Sequence, residues 1–302
     1  MSVLLRDVLT ALDTLYPPET ALGWDRVGLV TGDPDQPVRR IHLAVDPTLA
    51  VIDEAIAAGA DLLITHHPLL LRGIHSVATT SAKGAAVTRA VVADLAIYCA
   101  HTNADVADPG VSDALAAACG LTEVRPLDLE NGQPLGRVGE LPAPSTLRDF
   151  VLALAAALPP TAGGVRVSGD PTATVCRVAV LGGSGDDRFA AVRAAGADVY
   201  VTADLRHHPA SEAREESRGG PPYLIDAGHW ATEWLWLESA QHRLTAALAV
   251  GASGPGWAPT SSGSSDASSS AAEGTTVETY VSTLRTDPWD FVVGARDAGG
   301  AR

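Results

Sequence analysis

The residues best equipped for chemistry in this 302-residue chain are histidines and carboxylates in three short strings. Thr65-His66-His67-Pro68 sets two imidazoles side by side, and neutral imidazole is the commonest side-chain ligand for metal ions. His101-Thr102-Asn103-Ala104-Asp105 spaces an imidazole and a carboxylate four apart, as in two ligands or one ligand with its orienting partner. The same residues also suit a turn in which Asn103 and Asp105 hydrogen-bond ahead of a helix. Asp226-Ala227-Gly228-His229-Trp230-Ala231-Thr232-Glu233 puts His229 and Glu233 on one face of a helix start, and Gly228 lets backbone come close. The alternative for Glu233 is a carboxylate favoured there by the helix dipole. Each string alone has a structural explanation. Together His66, His67, Asp105, His229 and Glu233 make five nitrogen and oxygen ligands, more than one closed tetrahedral site uses. They suit two divalent ions about 3.5–4 Å apart. With no thiolate in the set, Zn, Fe, Mn and Co all agree with it.

Three distant segments meet only if the fold brings strand ends together. Side chains alternate across a strand, so His66 and His67 converge only where their strand is ending, and Pro68 marks that end. Ligand sites in open α/β sheets lie at the carboxyl ends of the strands. β-branched runs alternate here with Ala-rich helical stretches, which predicts an α/β fold with largely parallel or mixed sheets. The expected strands are 40–45, 61–65, 96–100, 177–181, 198–202 and 223–226. The expected helices lie near 48–58, 82–94, 112–118, 145–157, 186–195 and 232–247, after an amphipathic helix at the amino terminus.

The chain repeats itself. Ala57-Ala58-Gly59-Ala60-Asp61 recurs as Ala194-Ala195-Gly196-Ala197-Asp198, 137 positions on, and the same offset pairs Leu62–Thr65 with Val199–Thr202. Each copy reads strand, helix, glycine turn, strand, and His66-His67 in the first stands where the second has Ala203-Asp204. The expected organisation is therefore two related α/β halves, 1–125 and 126–250, with the metal site between them at the strand carboxyl ends. A Ser/Gly-rich stretch at 251–276 cannot bury enough apolar surface to order itself and is expected to be a flexible insert. A returning strand at 277–294 and a frayed tail at 295–302 follow.

A net charge of -15 excludes nucleic-acid backbones as partners. No apolar run approaches the ~20 residues of a membrane helix, and no secretory signal opens the chain, so the expected location is the cytoplasm. Cys99, Cys119 and Cys176 form no CxxC pair and read as buried thiols. Gly182-Gly183-Ser184-Gly185-Asp186 lacks the Lys and Ser/Thr of a P-loop; it is a plain tight turn or a phosphate cradle. Asp204 and His208 lie after the strand end at Thr202, in the region that repeats the His pair, and can line the cavity. His75 follows the pair in a loop and could reach the site. His42 and His242 read as bystanders, and Trp230, Trp234 and Trp236 as core or subunit-contact residues.

At these strings the chain resembles the GTP cyclohydrolase I type 2-like family, also called the Nif-three-like family. Gly23-Trp24-Asp25-Arg26-Val27-Gly28-Leu29 resembles its amino-terminal element. THHPL (65–69), HTNAD (101–105), TADLRHH (202–208) and DAGHWATE (226–233) resemble its later blocks in order. The resemblance implies dinuclear metal ligands at His66, His67, Asp105, His229 and Glu233, with His101 beside them. It also implies a homo-oligomer, commonly a toroidal hexamer. Arg26 stands where Asn is usual and Ala203 where Gly is usual, and the 105–204 spacing leaves no room for the mid-chain domain of longer members.

The expected function is a metal-dependent hydrolase in which metal-activated water attacks a nucleotide or another cyclic C–N substrate. His101 would move a proton or hold that water. The rival is a non-catalytic metal-binding adaptor acting through partner contacts. A third reading is a nucleotide-binding regulator using the Gly182–Gly185 turn.

Overall fold

A computed structural model describes residues 3–251 and 277–294. The expected insert and frayed tail lie outside the described residues, apart from Gly251, which ends a helix. The chain divides into two compact units, Met1–His101 with Glu238–Ser282, and Thr102–Leu237 with Thr283–Arg302.

In the first unit β1 (Val3–Leu4) leads into α1 (Leu5–Leu15). Leu5, Val8 and Leu12 form the buried stripe of α1 at helical spacing. Then come β2 (Gly28–Thr31), β3 (Pro37–Val38), β4 (Arg40–Ala44), α2 (Leu49–Ala57), β5 (Leu62–Thr65), α3 (Ala82–Val92) and β6 (Ala96–Cys99). Thr48 starts α2 by accepting from the Val51 amide and Ser81 starts α3 by accepting from the Gly84 amide, caps that satisfy otherwise orphaned donors.

The second unit holds α4 (Thr102–Asp105), α5 (Val111–Ala118), β7 (Thr122–Glu130), β8 (Gln133–Thr146), α6 (Leu147–Ala157), β9 (Arg166–Ser168), β10 (Thr174–Ser184), α7 (Phe189–Ala194), β11 (Val199–Ala203), α8 (His207–Glu216) and β12 (Tyr223–Asp226). Helix α9 (His229–Gly251) follows, and β13 (Glu278–Val281) comes last.

One five-stranded sheet has the order β13-β4-β5-β6-β2, and a six-stranded sheet has β7-β8-β10-β11-β12-β9. β4, β5 and β6 run parallel, as do β10, β11 and β12. β13 pairs with β4 in parallel, Thr279 opposite Ile41, so chain from beyond residue 237 completes the first sheet. The boundary expected at 125/126 falls inside β7, which pairs with β8 in the second unit's sheet. That β7–β8 hairpin had no sequence expectation; β7 is largely exposed and lacks the apolar alternation that marks a half-buried strand.

The repeat is visible bond by bond. Ile41 pairs with Leu62 in one unit, and Val178 with Val199 in the other. Asp61 Oδ2 accepts from the Arg39 and Arg40 amides at 2.7 and 3.0 Å, as Asp198 Oδ2 accepts from Cys176 and Arg177 at 2.8 and 2.9 Å. Gly59 and Gly196 end their helices at φ 67° and 65°, a left-handed conformation that favours glycine. The Ala-Gly-Ala-Asp string is thus a helix stop followed by a carboxylate that anchors the neighbouring strand.

Each sheet carries a core on one face. Val51, Ile52 and Ala55 of α2 and Ala86 and Ala90 of α3 pack on Ala44, Leu63 and Ile97. Phe189 and Val192 of α7 and Ala213 of α8 pack on Ala179, Tyr200 and Leu224. Burying each large apolar side chain contributes about 1.5–3 kcal/mol. The βαβ units are therefore stiff frames for whatever their strand ends carry.

Candidate metal centre

In the first unit three parallel strands stop in register, with Ala44 opposite Thr65 and Thr65 opposite Cys99. The residues just past those stops are Asp46, His66 with His67, and His101. Ladder bonding runs on briefly: the His66 amide donates to Ala44 O and the His67 amide to Val45 O. Thr65 Oγ1 donates to the His67 carbonyl at 2.8 Å, which curls the chain as the strand ends. The alternation of side chains breaks there, and both imidazoles fall on one side. Ring centroids lie 5.1 Å apart for His66–His67, 5.1 Å for His66–His101 and 5.4 Å for His67–His101. One ring nitrogen from each of the three lies within 4.8 Å of the others, a group able to hold a metal ion.

The tautomers are set by the other ring nitrogen. His66 Nδ1 is 3.0 Å from the Ala100 carbonyl, His67 Nδ1 is 2.7 Å from Asp46 Oδ1, and His101 Nδ1 is 3.0 Å from Asp25 Oδ1. A carbonyl or carboxylate only accepts, so each Nδ1 carries hydrogen and donates it, and in the neutral ring the lone pair belongs to Nε2. Metal-ligating histidines are oriented in this way, and the acceptor also raises their basicity. His66 is fully buried, as is the Asp25 side chain. Trp24 stands edge-on to His101, its ring centroid 5.9 Å away. The Cys99 thiol donates to the His66 carbonyl, and burial pushes its pKa far above the ordinary thiol value, so it brings no thiolate here.

The second unit has its own group on the equivalent sheet edge. β11 ends at Ala203 and β12 at Asp226, and α9 opens with His229. His229 Nδ1 lies 2.8 Å from Asp204 Oδ2, and Nε2 lies 2.9 Å from Glu233 Oε1 one helical turn on. Burial disfavours charge on this ring, but the Glu233 and Asp204 carboxylates outweigh it and push the His229 pKa up to about 11. The hydrogen bond from His229 in turn holds Asp204 below the usual carboxylate range against its own desolvation. Glu233 is buried, and a carboxylate in that position beside an imidazole is a strong cation ligand.

These residues fit a divalent cation by the chemistry of the donors. Imidazole nitrogens are aimed by partners on their far side, and a buried carboxylate stands within bonding reach of a fourth imidazole.

The predicted site residues divide accordingly. His66, His67 and His101 are gathered in one unit, and His229 and Glu233 in the other. Asp105 ends the short helix α4, half-buried. Asp204, expected only to line a cavity, orients His229. His208 is exposed and stacks edge-on with His207, and His75 is exposed on the loop before α3. His42 is buried and bonded to Glu54, while Trp230 and Trp236 are buried. No local pattern in the sequence marks Asp46, or Asp25 beyond its place in the Gly23–Leu29 element, as the partner of a histidine. The available signal for Asp46 was its position one residue past β4, a strand end neighbouring that of the His pair. A groove of about 460 Å³ in the second unit lies between β9 and α8, with Arg166, Ser168, Ser211 and Asp226 among its walls. Among the described residues no helix is long and apolar enough to cross a membrane.

Paired βαβ repeats whose strand ends carry oriented imidazoles and carboxylates define a class of α/β protein suited to holding metal ions. Residues 3–253 match the profile of Duf34/NIF3 (NGG1p interacting factor 3), and the chain belongs to that family. A Streptomyces coelicolor protein named GTP cyclohydrolase 1 type 2 homolog is 56% identical over 239 residues, spanning 78% of this chain and 83% of its own. A Mycobacterium bovis protein of the same name is 38% identical, spanning 80% of this chain and 91% of its own. The crystal structure of a Bacillus cereus protein related to NIF3 shares the fold with a TM-score of 0.81 at 24% identity, covering 97% of this chain and all 100% of that one.

Proposed function

We propose that this chain is a cytoplasmic metal-dependent hydrolase holding two divalent ions on His66, His67, Asp105, His229 and Glu233. The observation that carries the reading is the convergence of His66, His67 and His101, each turned by an acceptor at its Nδ1. When bound, such ions supply Lewis acidity and a water acidic enough to attack at neutral pH. Asp46 and Asp204 orient His67 and His229. His101, braced by the buried Asp25, holds or moves a proton at Nε2. The relatives' name, GTP cyclohydrolase 1 type 2 homolog, supports a nucleotide or another cyclic amidine as substrate. The groove beside α8 is large enough to seat the part of a small molecule that does not react.

The test is hydrolysis by the metal-loaded protein of GTP, other nucleotides and cyclic amides, with a His101→Ala variant alongside. Turnover that falls by about 10²-fold or more in the variant supports a proton-handling role. A full complement of ions without turnover on any substrate favours the second reading, a metal-binding adaptor. That reading draws support from the exposed Trp289, Phe291 and Val293 beyond β13, apolar side chains suited to a partner or to further copies of this chain. A homo-oligomer, a toroidal hexamer by the family resemblance, belongs to the same proposal.

A further inference from the structure

The Gly182–Asp186 turn is still without a purpose, and its geometry gives one. Gly183 lies at φ +69°, in the left-handed region, and a Cβ built on it would stand 2.4 Å from Glu233 Oε1 and 3.4 Å from His229 Nε2. The first distance is closer than real Cβ atoms approach anything, so the Glu233 carboxylate rests against this residue because it has no side chain. The turn is also tied to α9 through its backbone. The Gly183 amide donates to Thr232 Oγ1 at 3.0 Å, and Thr232 Oγ1 donates in turn to the His229 carbonyl at 2.8 Å. Thr202 Oγ1 at the end of β11 donates to the Gly183 carbonyl at 3.0 Å. Thr202, Gly183 and Thr232 are all buried. Three hydrogen bonds thus link the ends of β10 and β11 to the first turn of the helix that carries His229 and Glu233.

We propose that Gly183, Thr202 and Thr232 are positioning residues for the His229–Glu233 pair, and that the glycine-rich turn is a seat for the Glu233 carboxylate and not a phosphate cradle. The inference rests on the metal reading of His229 and Glu233. Its content is that the Thr232 hydroxyl, which touches neither ligand atom, sets how tightly the pair grips a cation. Without that hydroxyl the Gly183 amide loses its buried acceptor. The first turn of α9 is then free to shift, and ligand geometry tolerates little displacement.

The experiment uses the full chain and Co²⁺ as the probe, following its visible absorption during titration. Thr232→Val, close in shape but lacking the hydroxyl, is expected to weaken binding about 10- to 100-fold, the range for losing a group that orients ligands. Its Co²⁺ spectrum should also change. Thr232→Ser restores the hydroxyl and should restore affinity and spectrum. Gly183→Ala, which forces the carboxylate away, should act like Thr232→Val. Each titration is read at a temperature where circular dichroism shows the variant folded. If wild type binds Co²⁺, Glu233→Gln loses it, and Thr232→Val binds like wild type, the positioning proposal is overturned while the ligand reading stands. If Glu233→Gln also binds like wild type, the ligand reading fails and takes this inference with it.

Discussion

Asp46 Oδ1 stands 2.7 Å from His67 Nδ1, two residues held together across neighbouring strand ends and 21 positions of sequence. The pairing fixes which nitrogen of His67 carries hydrogen. It also makes Asp46 part of the centre although it contacts no ion in the proposed ligand set. In the second unit Asp204, the repeat position of His67, holds His229 by a carboxylate–imidazole pairing of the same kind, here between the ends of β11 and β12.

Asp46→Asn should therefore weaken metal binding about 10- to 100-fold without unfolding the protein. Asn can accept the same hydrogen bond but carries no charge to raise the basicity of His67. A metal titration on wild type and variant checks this, and identical affinities would remove Asp46 from the centre.

The charge on His229 makes a pH prediction with a definite sign. Its folded pKa is raised to about 11, so in metal-free protein the imidazolium contributes stability that is fully present below the unfolded value of about 6.5. That contribution is lost as pH rises through about 11. A proton and a cation compete for Nε2, so metal affinity should climb as pH rises across the same window. Proton NMR of the His229 ring in metal-free protein is expected to show it charged at pH 8. Titration near the ordinary histidine value would show that Asp204 and Glu233 do not act on it as described.

How much of this was legible beforehand differs from residue to residue. Strands β4, β5, β6, β11 and β12 are short, largely buried and mostly apolar runs, and their positions follow from the sequence to within a residue or so. The helix expected at 232–247 starts earlier in the structure, where α9 already begins at His229. Trp230 and Ala231 look no more helical than not until Thr232 ties the first turn to Gly183. The pairings His67–Asp46 and His101–Asp25 were not legible, because a hydrogen bond spanning 21 or 76 positions leaves no local pattern. Strand β9, three exposed residues on a sheet edge, carries no periodicity to read.

The second unit offers a check on the fold independent of any metal. Arg137 is buried on β8, and its guanidinium bonds Asp113 on α5 at 2.7 and 2.6 Å as well as the Ala107 and Gly136 carbonyls. Asp113→Ala leaves that charge buried without its carboxylate, which should cost about 3–5 kcal/mol. Urea denaturation of the variant measures the loss. A change under about 1 kcal/mol would mean that water or the carbonyls satisfy Arg137 unaided.

Metal content of the purified protein, wild type beside His67→Ala, tests the central claim most directly. The five-ligand reading predicts about two divalent ions per chain in wild type and loss of at least one in the variant. Equal stoichiometry in the two proteins, or none in either, would contradict it.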